Sequence, residues 1–342
     1  MFLYLNAVIG FLWNCAPFMI ALASFVTYVL MDEENILDAS TAFVSLTLLN
    51  MIRFTLILLP ELISNIVQTR VSLVRLNRFL VSEEVDPNCV GELVGEEDEA
   101  ISMDDTSLSW SRSSDPILKD IRLHVKKGQL VAVVGQVGTG KSSLLLALLG
   151  EMYKLTGFIN LNGSVAYVPQ QAWIQNCTVR QNILLKSSLN NKCYQELLDA
   201  CSLRSDLSML PGGDLTEIGE KGVNLSGGQK QRISLARAVY QNTDVYLLDD
   251  PLSAVDSHVA KHIFRHVIGP KGLLQQKTRL LVTHNLSVLP EVDHIVVMRD
   301  GSVEESGSYD ELMKKKGVFA ELVVQNLAND EQKESIFEDK ET

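Results

Sequence analysis

The 342-residue chain carries 42 acidic and 30 basic residues, a net charge of -12, with 46% hydrophobic content. So acidic a balance argues against a nucleic-acid-binding surface. The five cysteines (Cys15, Cys89, Cys177, Cys193, Cys201) lack metal or disulfide spacing, which leaves reduced thiols as the plain reading.

Apolar residues crowd residues 1–80, which read as the membrane part of the chain. Phe2 to Met31 is almost wholly apolar and uncharged, longer than the ~20 residues a bilayer span needs. It is also too long, and lacks the basic start, for a signal peptide. Asp32 to Asp38 reads as an acidic external loop. A second helical run from about Ala39 to Leu80 would be about 60 Å long at ~1.5 Å per residue. It should cross the membrane and continue beyond it. Arg70, Arg75 and Arg78 at its far end put that end inside. Arg53 and Glu61 lie within the apolar part, and Pro60 predicts a kink. Two spans make no path by themselves, so further helices are implied.

Residues 81–99 are acidic and broken by Pro87, Gly91 and Gly95, a linker composition. Ile101 to His124 alternates weakly and predicts a short antiparallel sheet. It contains Trp110, an aromatic that could stack on a base.

The richest stretch follows. Leu130–Val134 is apolar throughout and reads as a buried parallel strand, and Ser143–Leu149 reads as a helix. Between them lies Gly135, Gln136, Val137, Gly138, Thr139, Gly140, Lys141, Ser142. Strand, glycine loop and helix form the context of a phosphate-binding P-loop. The loop amides and the helix start, with Ser143, would face phosphate oxygens. Lys141 would bring charge to the terminal phosphates. Ser142 would offer Mg²⁺ a hard oxygen.

Val165–Val168 predicts a strand running to Gln170, whose amide oxygen could reach Mg²⁺ or water. Leu225, Ser226, Gly227, Gly228 and Gln229 precede a helical run, with Ser226 as N-cap, and make a second anion-binding helix start. One domain does not need two phosphate loops for one nucleotide; two domains facing each other would. Val245–Leu248 predicts a buried strand ending at Asp249, an acidic arm for Mg²⁺. Asp250 follows in the place of a general base. Thr278–Thr283 predicts a strand leading to His284, within reach of a γ-phosphate. His294–Met298 is a last strand, with a turn at Asp300-Gly301. His258, His262 and His266 recur at helical spacing and read as a solvated face rather than a metal site.

The ordered set Trp110, Gly135–Ser142, Gln170, Leu225–Gln229, Val245–Asp249, Ser253–Asp256 and His284 resembles the nucleotide-binding domain of ATP-binding-cassette transporters. The wording of 167–176 and 217–226 is similar to the first such domain of the C subfamily, the multidrug resistance-associated proteins. The resemblance implies an α/β P-loop cassette over residues 100–325, with a mixed core sheet, an antiparallel β subdomain and a helical signature subdomain. Ahead of it, residues 1–80 would be the last two helices of a transmembrane domain. Residues 326–342 would be a disordered acidic tail.

By the same resemblance Trp110 stacks adenine, Gly135–Ser143 hold the phosphates of ATP, and Ser142, Gln170 and Asp249 serve Mg²⁺. Asp250, His284 and Gln170 would be catalytic. Leu225–Gln229 would act on the nucleotide of an opposite cassette. The partners implied are that second cassette, the remaining transmembrane helices, membrane lipid and an amphipathic anionic substrate. The setting would be a multi-pass protein of the plasma membrane or an internal membrane. The implied function is ATP-driven export of organic anions, including glutathione and glucuronide conjugates. A channel or channel regulator, or a truncated ATP-binding interaction module, fits the same motifs. One departure stands out. Most active cassettes carry Glu where this chain has Asp250, which implies a site that binds ATP firmly and turns it over slowly.

Overall fold

The computed structural model describes residues 2–32, 35–82, 84, 86, 88–91, 98–219 and 225–325. The expected acidic tail at 326–342 and part of the expected linker lie outside them. The chain separates into two compact units, Met1–Glu84 and Val85–Thr342.

The first unit contains α1 (Phe2–Met31) and α2 (Ala39–Leu80). The turn between them is held by Asn35, whose amide donates to the Tyr28 carbonyl at 3.1 Å. Both helices form where expected, but their membrane role does not stand. Among the described residues no helix is long and apolar enough to cross a membrane. Along α2, Asn50, Glu61, Asn65, Gln68 and Arg70 interrupt the apolar run, and length alone does not make a span. The two transmembrane helices, the transmembrane-domain assignment of residues 1–80 and the multi-pass membrane location are corrected accordingly.

The second unit is built on a six-stranded sheet of order β5-β6-β7-β3-β8-β9. Its strands are β3 (Leu130–Val134), β5 (Val165–Val168), β6 (Val245–Asp249), β7 (Thr278–Val282), β8 (His294–Arg299) and β9 (Ser302–Gly307). All neighbours are parallel except β8 and β9, which pair antiparallel after the Asp300-Gly301 turn. A three-stranded antiparallel sheet pairs β1 (Glu99–Ser109) with β2 (Leu118–Lys126) and with β4 (Tyr153–Leu161). A mixed α/β P-loop fold is thus observed.

Strand β3 explains why both faces of the large sheet are buried. Successive side chains point to opposite faces. Val131 and Val133 join a core with Leu144, Leu145 and the antiparallel sheet. Leu130, Ala132 and Val134 join a second core with Ile233, Leu235, Leu248 and Ile263. That double burial requires the continuous apolar run seen in the sequence.

Helix α3 (Lys141–Leu148) follows β3, and α4 (Val179–Leu184), α5 (Asn191–Ala200), α6 (Arg204–Met209) and α7 (Gly227–Tyr240) form the helical part. Thr178 and Ser226 each close a capping box, with Gln181 and Gln229 respectively, at the starts of α4 and α7. Helix α8 (Ser257–Ile263) continues into a π-helical turn at Phe264–Ile268, and α9 (Tyr309–Lys315) follows β9.

Candidate functional site

The loop after β3 is shaped by contacts that a side chain would block. At Gly135 (φ 153°) an added Cβ would lie 2.3 Å from the Met298 carbonyl oxygen. Gly140 is the N-cap of α3 in the left-handed region at φ 94°, where L side chains are strained. The curled loop places Lys141, 6% exposed, so that its ammonium donates to the carbonyls of Gly135 at 2.9 Å and Gln136 at 2.7 Å. Thr139 Oγ1 also donates to the Gln136 carbonyl at 2.9 Å.

Parallel pairing of β6 with β7, and of β7 with β3, sets the strand ends side by side. The Ser142 hydroxyl donates to Asp249 Oδ1 at 3.0 Å. The Tyr167 phenol from β5 lies close enough to Asp249 for the carboxylate charge to add to its upward shift. Burial raises the Asp249 carboxyl above the usual carboxylate range. The Ser142 bond opposes that rise, and the charge of Asp250 adds to it. Burial lowers the Lys141 ammonium, and the charges of Asp250 and Asp249 oppose that shift. Burial also pushes the Tyr167 phenol up to about 12, so it stays protonated and able to donate.

Asp250 turns the chain sharply. Its φ is 47°, its N–H donates to the Val282 carbonyl at 3.0 Å, and its own carbonyl accepts from Ser253 Oγ at 2.9 Å. It is 6% exposed. Asp tolerates the left-handed region better than most residues.

These groups open on one cavity of about 420 Å³. Its walls bring together Trp110, Val137, Gly138, Gly140, Lys141, Ser142, Ser143, Gln170, Asp249, Asp250 and His284. Trp110 is 45% exposed, which leaves ring area for a planar group. Gly135, Gln136 and Thr139 shape the loop from behind and are not in the wall.

The donor set suits Mg-ATP. Loop amides and a helix start fit phosphate, while Ser142 Oγ and Asp249 are hard oxygens. Among the described residues no cluster of His, Cys, Asp and Glu could hold a metal by itself. Mg²⁺ commonly takes one or two protein oxygens and completes its shell with substrate phosphates and water.

Leu225–Gln229 does not line this cavity. Ser226 and Gly227 are exposed at the start of α7. The link between the two regions runs through Gln231, 2% exposed, whose amide donates to the Pro169 carbonyl next to Gln170 at 3.0 Å. Of the three histidines at helical spacing, His262 and His266 stack at 4.1 Å and bond main-chain carbonyls.

Two residues escape the sequence reading. Tyr167 neighbours Asp249 because alternate residues of neighbouring strands share a face. Tyr167 pairs with Leu247, two positions before Asp249. The register carries that signal, and only pairing reveals it. The second is Asp206, which accepts from Gln229 Nε2 at 3.0 Å.

Residues 118–253 match the family model for ABC transporters. This stretch is an ATP-binding cassette. Its relatives agree. The chain is 55% identical over 332 residues to the rat "ATP-binding cassette sub-family C member 3" (Rattus norvegicus), covering 97% of this chain and 22% of the relative. It is 55% identical over 328 residues to the human member 3, covering 96% and 21%. It is 52% identical over 319 residues to the mouse (Mus musculus) "ATP-binding cassette sub-family C member 2", covering 93% and 21%. The chain therefore spans about a fifth of the length of these curated relatives. Over nearly its whole length the chain is similar to these C-subfamily members.

Proposed function

We propose that the cassette binds Mg-ATP in the cavity beneath Trp110 and hydrolyses it slowly. The observation that carries the reading is the convergence of Lys141, Ser142, Asp249, Asp250, Gln170 and His284 on one space. Trp110 would stack the adenine. Residues Gly135–Ser143 and Lys141 would hold the phosphates. Ser142, Gln170 and Asp249 would hold Mg²⁺, which when bound offsets the phosphate charge. Gln170 and His284 would orient the attacking water and the terminal phosphate. Asp250 would accept the proton of that water.

The slow rate follows from Asp250. Its carboxylate sits about 1 Å further back than a Glu would reach, a displacement worth ~10²-fold in rate. The position of Leu225–Gln229 outside the cavity favours a second cassette that faces this one, each signature closing on the other's nucleotide. At the level of a longer protein the reading is ATP-driven export of amphipathic organic anions, including glutathione and glucuronide conjugates. This last step rests on the sequence resemblance.

The test is equilibrium binding of a fluorescent ATP analogue to the full chain, with phosphate release measured in parallel. Saturable Mg-dependent binding that is lost in Lys141→Ala, with slow release, supports the reading. Binding that survives Lys141→Ala with unchanged affinity refutes it.

A further inference from the structure

Beneath the start of α7 lies a part-buried polar knot that uses none of the residues lining the cavity. Asp206, in the first turn of α6, sends its carboxylate under the segment Leu225–Gln229. Oδ1 accepts from Gln229 Nε2 at 3.0 Å. Oδ2 lies 2.8 Å from Arg232 Nη2. It is buried and makes no hydrogen bond of its own, so the guanidinium charge is its sole compensation among the described groups. Arg232 is anchored in turn to the Ser202 carbonyl at 2.6 Å and the Gly228 carbonyl at 3.3 Å.

Gln229 is thereby held at both ends. Its Oε1 accepts from the Ser226 N–H at 2.9 Å, while its Nε2 is spent on Asp206. A side chain with three free torsions is reduced to one conformation, and with it the capping box that sets the Ser226 hydroxyl. A carboxylate so near a helix start would repel phosphate if unpaired. Paired with Arg232 it adds no net charge, so the positive end of α7 is left unscreened.

We propose that Asp206 is a positioning residue for this segment. By fixing Gln229 and Arg232 from below, it presents the Ser226 hydroxyl and the Gly227 and Gly228 amides as a rigid anion-facing surface. The inference rests on the reading that Leu225–Gln229 engages the nucleotide of a facing cassette. Asp206 touches no substrate. Its effect should therefore fall on turnover and not on ATP binding at this chain's own loop.

The test exchanges donor and acceptor in the full 342-residue chain. Gln229→Glu keeps the acceptor for the Ser226 N–H but sets an oxygen against Asp206. It should lower kcat roughly tenfold and leave the Kd for Mg-ATP within about twofold. Adding Asp206→Asn supplies an amide donor to the new carboxylate at position 229 and keeps a carbonyl oxygen against Arg232 Nη2. The pair should recover kcat to within about threefold of the parent. Asp206→Ala, which removes both contacts, should show the same split between kcat and Kd if Gln229→Glu fails to fold. Unchanged kcat in Gln229→Glu and Asp206→Ala overturns the proposal, as does a folded double variant without recovery. Ser226→Phe separates the two readings. If it abolishes turnover while the exchange variants do nothing, only the role of Asp206 falls. If Ser226→Phe also leaves turnover unchanged, the signature reading falls and takes this one with it.

Discussion

Replacing Asp250 by Glu isolates the geometric cause proposed for slow hydrolysis. The backbone there is fixed from three sides: by the Val282 carbonyl, by the Ser253 hydroxyl and by the end of β6. The substitution therefore moves only the carboxylate, forward by about 1 Å. A gain of up to ~10²-fold in hydrolysis follows, which corresponds to ~2.7 kcal/mol at about 1.36 kcal/mol per decade. The longer side chain is less at ease at φ 47°, so stability should fall by ~1 kcal/mol. The assay is single-turnover hydrolysis of Mg-ATP, with Kd measured on the same samples. A folded Asp250→Glu chain with parental Kd and parental rate refutes the argument, because the extra reach would then have no chemical consequence.

Four further outcomes are expected. Ser142→Ala removes the 3.0 Å bond to Asp249 and should weaken Mg-dependent ATP binding by ~1–3 kcal/mol, read as the Kd difference with and without Mg²⁺. Gly135→Ala drives a Cβ against the Met298 carbonyl and should cost ~1–3 kcal/mol of stability, read as a lowered Tm. Arg279 is 2% exposed and donates to the carbonyls of Ile268, Gly128, Lys277, Gly269 and Gln275. Arg279→Met should cost more than about 3 kcal/mol, read by denaturant titration. The Asp249 carboxyl is raised in the folded chain, so the native state holds that proton more tightly than the unfolded one. Its contribution to stability falls as pH rises from the ordinary carboxylate value through the folded one. Asp249→Asn should flatten that fall and raise the ligand-free Tm at pH 7, while ATP hydrolysis is lost.

Local order in the chain explains what the sequence reading could reach. The strand Leu130–Val134, the glycine loop and α3 are contiguous, and hydrophobic period and loop chemistry agree over that run. Asp249 ends β6 and Gln170 lies two residues past the end of β5, and parallel strands of one sheet deliver their ends to one edge. The contacts that hold these groups are not contiguous. Ser142 meets Asp249 across 107 positions, Gln231 meets Pro169 across 62, and Asp206 meets Gln229 across 23. A polar residue in a helix gives no sign of which distant carbonyl it faces. The helices α1 and α2 show the opposite failure. Their length is plain, yet among the described residues neither is long and apolar enough to cross a membrane.

The ammonium of Lys141 is satisfied by the carbonyls of its own loop. The loop therefore keeps its curl through internal bonds before any phosphate arrives. An incoming nucleotide exchanges one set of oxygens around that ammonium for another, rather than imposing order on a slack segment. Association should then proceed as docking to a finished surface, with a single kinetic phase whose rate rises linearly with nucleotide concentration. The heat-capacity change should reflect little more than the covering of the Trp110 ring.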